Sequence, residues 1–218
     1  MGMTNENMTF QKDVIISGTT NIGGTVTGMT RAKLDTEAIQ RHYLKTTDWR
    51  KKSDMAVPLP ATASSPDLGV YTNPAGPGAA TPPVMRTEDI KTLAAAVRNA
   101  RTLVQLPYNY VSTNTVQLKV AAGMITTVAD DTCTIDCEVY LVSQTDDVYT
   151  TGTDLNQVAA QSINNLVYSE KTFTIDGSVL AANDILDVLL FITSTDAASG
   201  TAVIGAILWA ALEFDVKG

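Results

Sequence analysis

The residues able to do chemistry are few and scattered. His42 is the single histidine of the chain, so any Ser-His-Asp arrangement would have to use it. It stands between Arg41 and Tyr43 and close to Lys45, and reads as a surface or interface histidine. There is no Gly-x-Ser-x-Gly elbow and no Gly-rich loop ending in Lys-Ser/Thr. Two acidic pairs, Asp130-Asp131 and Asp146-Asp147, supply hard oxygen ligands of the kind calcium prefers. Neither has EF-hand spacing, and both fall where turns are expected, where Asp is common for its own backbone reasons. A pair of glycosidase carboxylates would converge only in space, and loop aspartates give it no special support. No catalytic residue, metal or cofactor is expected.

Cys133 and Cys137 lie in "CTIDCEVYLV". On a strand they share a face but stand about 13 Å apart at ~3.3 Å per residue. A disulfide needs Cα atoms within about 7 Å, and the same separation spoils shared metal ligation. Both read as buried free thiols. The basic cluster Arg41, Lys45, Arg50, Lys51 and Lys52 lies near Tyr43 and Trp49. Basic plus aromatic residues can mean nucleic acid. In an acidic chain the cluster, with Trp49, reads better as a docking patch for an acidic protein surface.

The formal charge of the 218-residue chain is −8, with 44% hydrophobic residues. That charge argues against nonspecific nucleic-acid binding. It is unevenly placed. Residues 1–60 carry 8 Lys/Arg against 6 Asp/Glu, a balance of +2, and residues 61–218 carry 7 against 17, a balance of −10. The longest apolar run, Ala202 to Leu212, is shorter than the ~20 residues a membrane-spanning helix needs. The start, "MGMTNENMTF", has no apolar run of the secretory kind. Neither a membrane nor a nucleic-acid partner is expected.

The elements that would position these residues follow from periodicity. "DVIISGTTNIGGTVTG" places Val14, Ile16, Ile22 and Val26 at even positions with Gly18, Gly24 and Gly28. Period-two alternation of β-branched residues predicts extended chain over 9–29. Ile16-Ser-Gly-Thr-Thr recurs as Val26-Thr-Gly-Met-Thr, two copies where repeat folds use three or more. The tract is too thin to own a core, so its apolar residues read as an attachment or oligomerisation arm. Residues 31–52 are helix-like, with Thr36 as cap and Ile39 and Tyr43 on one face. Residues 1–55 thus form an N-terminal arm, and 56–85, dense in Pro and Gly, a connector. "TEDIKTLAAAVRNAR" is either a second short helix or the approach to a strand through "TLVQLP".

From residue 86 onward short alternating runs recur between polar turns. Val116, Leu118 and Val120 face one way, as do Cys133, Ile135, Cys137, Val139 and Leu141, and Phe173 with Ile175. This pattern predicts an antiparallel, jelly-roll-like β-sandwich over 86–218. Two late strands are apolar on both faces. Leu186, Val188, Leu190 and Ile192 oppose Ile185, Leu189 and Phe191. Ile204, Leu208, Leu212 and Phe214 oppose Val203, Ile207 and Trp209. A solvated antiparallel sheet should be polar on one side. The second set therefore needs a cover, either another part of this chain or, the reading preferred here, a neighbouring subunit touching Ile185, Leu189, Phe191, Ile207 and Trp209.

The body reads from "RTEDIKTLAAAVRNARTLVQLPYNY" through "LKVAAGMITTVADDTCTIDCEVY" to "AAQSINNLVYSEKTFTIDGSVLAANDILDVLLFITSTDAASGTAVIGAI". Over roughly residues 85–218 it resembles β-sandwich virion proteins of tailed bacteriophages, of the capsid decoration (cement) or head fibre type. "AGMITTVADDT" and "LAANDILDVLLFI" carry most of the likeness. The resemblance implies a non-enzymatic homotrimer, made in the host bacterial cytoplasm and incorporated into the virion. It also implies an N-terminal arm that binds the major capsid protein or another virion protein. The alternative is a tail-associated fibre or adhesin for a host surface glycan, with Tyr149 and Tyr168 as the loop aromatics. A glycan-cleaving enzyme is a third reading.

Overall fold

The computed structural model describes residues 37–72, 83–126, 132–142, 152–196 and 202–217. Ten strands follow in chain order: β1 (Glu37–Leu44), β2 (Gly69–Tyr71), β3 (Val84–Arg86), β4 (Ala96–Gln105), β5 (Val116–Met124), β6 (Thr132–Val142), β7 (Gln161–Ser162), β8 (Ser169–Ile175), β9 (Ile185–Thr195) and β10 (Gly205–Lys217). One sheet runs β2-β3-β10-β5-β8, with β1 also paired to β10; the other runs β4-β9-β6-β7. From β3 to β10 every connection except β6–β7 crosses between sheets. That order is a jelly roll, as expected, and every strand pair in it is antiparallel.

The alternation read in the sequence explains the core. Val116, Leu118, Val120, Ile135, Val139, Phe173, Ile175, Leu186, Val188, Leu190 and Ile192 are all buried between the sheets. Burial of such side chains contributes roughly 1.5–3 kcal/mol each. Cys133 and Cys137 are buried free thiols on the inner face of β6. The Cys133 Sγ lies 3.2 Å from the Ser194 hydroxyl. Burial pushes the Cys133 thiol up to about 11, against a small opposing effect of that contact.

β10 departs from simple alternation. Ile207 pairs with Ala122 but Trp209 pairs with Ala121, so a β-bulge sits between them. An extra residue reverses which face later side chains take. Val203, Ile207, Ala210, Leu212, Phe214 and Val216 therefore all reach the core. Ile207, expected at a subunit interface, is 1% exposed and covered within its own chain.

Residues 37–44 form a strand, not the expected helix, and among the described residues of that segment only Thr46–Asp48 make a helical turn, of the 3-10 kind. Ile39 and Tyr43 share a face in either conformation, because a spacing of four fits both periods. Pairing with β10 along all eight residues of β1 decides the matter. The second segment resolves as its strand alternative, with β4 beginning at Ala96.

The sandwich also begins earlier than residue 86. The stretch expected to be a connector contributes β2 and β3 and buries Leu59, Ala63 and Leu68. Backbone bonds join Arg50 to Arg101, Asn99 to Pro66 and Leu68 to Asn99, so residues 50–68 cover the free edge of β4. Covering an edge this way blunts unwanted pairing.

Candidate docking surface

The outer face of the first sheet carries a ladder of charges, one from each of four adjacent strands. Arg41 on β1 pairs with Glu213 on β10. Lys119 on β5 reaches both Glu213 and Glu170 on β8, each at 3.1 Å. The signs alternate across the sheet, the arrangement that favours cross-strand neighbours. Burial works against ionisation of Glu213, but hydrogen bonds from Arg41 and Lys119 outweigh it and hold the carboxyl below its usual range. Beside the ladder, Tyr43 and Trp209 meet edge to face with centroids 5.7 Å apart. The Arg41 guanidinium lies 5.7 Å from the Trp209 ring centroid. These contacts bind β1 to the body.

Beyond them β1 is bare. Residues 38–43 are exposed on both faces, with Ile39 at 76% and Tyr43 at 56%. Leu44 turns inward and Trp49 follows it into the core.

That burial breaks up the expected docking patch. Trp49 is 1% exposed. The Arg50 guanidinium is turned to the Thr47 and Trp49 carbonyls. Arg41 is engaged with Glu213, while Lys45 and Lys52 are exposed and Lys51 is half-buried. The expected subunit interface also divides. Ile185, Leu189 and Phe191 lie on the outer face of β9, and Trp209 lies on the outer face of the opposite sheet. Leu189 is only 5% exposed, with Arg101 and Glu138 as its cross-strand neighbours. Nothing in the local sequence marks Lys119, Glu170 and Glu213 as partners. Outward positions in alternating strands were legible, but not which strands lie side by side.

A concavity of about 390 Å³ lies on the outer side of the β6 sheet, lined by Asp136, Glu138, Asp154, Asn156, Gln157 and Phe191 among others. Burial raises the Asp136 carboxyl, and the Asp154 and Glu138 charges add to it, against hydrogen bonds from the Cys137 amide and Asn156. The carboxylates have structural employment. Asp154 accepts from the amides of Val139 and Asn156. Asn156 in turn donates to Asp136 and to the Cys137 and Val158 carbonyls. The arrangement clasps the loop after residue 152 onto β6. Among the described residues no group of three potential ligands could hold a metal. Tyr168, the aromatic considered for glycan binding, is half-buried. Val14, Ile16, Ile22, Val26, the two Asp-Asp pairs and Tyr149 lie outside the described residues.

Fold and surface together define a jelly-roll β-sandwich with a bare strand on its edge. No family model matches this sequence, and no curated protein does.

Proposed function

We propose that this chain is a non-enzymatic structural protein of a phage particle, of the capsid decoration or head-fibre kind. On this reading it is a homotrimer. The sandwich is presented outward, and the N-terminal arm docks on the major capsid protein or another virion protein. The virion assignment rests on the resemblance of residues 85–218. The docking role is carried by one observation: β1, Glu37–Leu44, lies within the 1–55 arm, and its residues 38–43 are exposed on both faces. Strand addition suits such an element, because backbone hydrogen bonds provide attachment and alternate side chains provide selectivity. Several arms on one assembly convert modest contacts into avidity.

Ile16→Asp with Ile22→Asp places charge in the apolar stripe of the arm while leaving the sandwich core intact. The variant should fold normally by circular dichroism yet fail to co-sediment with particles lacking the protein. Charge reversal at Asp146 and Asp147 is the control and should leave attachment near wild type. Attachment by the arm variant together with loss in the control would overturn the reading.

A further inference from the structure

The edges of a jelly roll are where another chain could pair, and among the described residues almost every one is short or covered. β2 and β7 have three and two residues. The free side of β4 is bonded by residues 50–68, as described above. Past β7, β6 is bonded by Leu155 and Ile163. The free side of β8 is bonded through Gln157 and Leu155. β1 is different. Its eight residues pair with β10 on one side, and no strand among the described residues pairs on the other. Natural edges are usually guarded by a lysine, a proline, a bulge or brevity. "EAIQRHYL" contains neither lysine nor proline. Its register to β10 is unbroken, and its arginine is turned to Glu213.

We infer that the open edge of β1 receives residues 9–29 of a neighbouring copy of this chain, each copy donating its tract to the next around a closed ring. This rests on the reading of the N-terminal region as an assembly element and names the acceptor of residues 9–29 as a second copy; docking on the virion then belongs to the assembled ring, which loses its avidity when exchange is lost. The tract is the right occupant on three counts. It alternates as a strand must, with Val14, Ile16, Ile22 and Val26 on one face. Its only charges are Lys12 and Asp13, so it brings no net charge to the edge. It ends seven residues before β1, and seven extended residues reach up to about 25 Å, enough to cross to a neighbour.

A copy's own tract, folded back on its own β1, would only widen a ribbon that faces water on both sides. Its apolar stripe would stay uncovered beside Ile39 and Tyr43. Exchange around a ring brings the stripes of several copies together about the axis, where they cover one another. A heterologous contact of this kind closes when the rotation closes.

The test uses the full-length purified chain without particles. Hydrogen–deuterium exchange of the 37–44 segment and the sedimentation mass are followed together across a dilution series. At high concentration the mass should be a multiple of the monomer's, and the outward β1 amides, those not bonded to β10 and the only ones scored, should exchange at least about tenfold more slowly than at the dilute limit. Protection and mass should fall together on dilution. The Ile16→Asp/Ile22→Asp chain should behave at all concentrations like the diluted wild type, with an unchanged circular dichroism spectrum. Protection of β1 at monomer mass would mean that the chain's own tract fills the edge. An oligomer with protected β1 in the double variant would mean direct β1–β1 pairing. An unprotected β1 at every concentration would mean an empty edge. Each of these three results overturns the inference. Because wild-type dilution needs no particle, exchange can fail while virion attachment survives, and the reverse.

Discussion

Substituting Gly205 by Ala probes how closely the two sheets meet. Gly205 opens β10 opposite Met124. A Cβ built there would lie 2.7 Å from the Cys133 Sγ and 2.8 Å from the Ile192 Cγ2. Comfortable contact between such atoms is about 3.5–4.0 Å. Both neighbours are almost fully buried on strands of the opposite sheet, so relief requires core side chains or the sheets themselves to move. Overpacking of this kind costs about 1–3 kcal/mol. At roughly 2–4 °C per kcal/mol for a chain of this size, a cost near the middle lowers Tm by about 4–8 °C. Cys133→Ala alone removes one buried atom and should cost on the order of 1 kcal/mol. Combined, the new methyl gains the space the sulfur vacates and keeps only its close approach to Ile192. The double variant should therefore be more stable than the sum of the single losses implies, by about 1 kcal/mol or more. Urea unfolding of the four proteins, followed by circular dichroism, measures the cycle. Strict additivity, or a Gly205→Ala chain as stable as wild type, would refute this account of the inter-sheet contact.

Two further outcomes follow from the ion pairs of the body. Asp187, 9% exposed, is held by Arg101, which also donates to the Lys52 carbonyl. Arg101→Ala should cost about 2 kcal/mol in urea unfolding by leaving a largely buried carboxylate without its partner. Adding Asp187→Leu should recover most of that loss, and an equal deficit in both variants would refute the account. Burial works against ionisation of Glu88, but hydrogen bonds from Arg98 outweigh it and hold the carboxyl below its ordinary range. A carboxyl lowered on folding contributes stability above its unfolded pKa and loses it as pH falls through the folded one. The Tm gap between wild type and Glu88→Gln should thus be full at neutral pH and close below about pH 4. A gap independent of pH would count against it.

Local alternation carried much of the fold. The inward faces of β5, β6, β8 and β9 are those the sequence pattern implies, because period-two burial needs no knowledge of the partner strand. Strand rise kept Cys133 and Cys137 from pairing with each other, and alternation placed both inward. Tertiary structure decided what local spacing leaves degenerate. Ile39 and Tyr43 fit a helix or a strand equally, and only pairing with β10 chose between them. One extra residue after Ile207 reversed the faces of the residues that follow, so Ile207 shares the core face with Leu212 and Phe214 instead of an interface face with Trp209. Trp49 sits among cations in the sequence yet lies buried, because the chain turns inward at Leu44. The charge ladder through Arg41, Glu213, Lys119 and Glu170 joins residues up to 172 positions apart. Side chains so distant become neighbours only once strand order is set, and strand order is a property of the whole sheet.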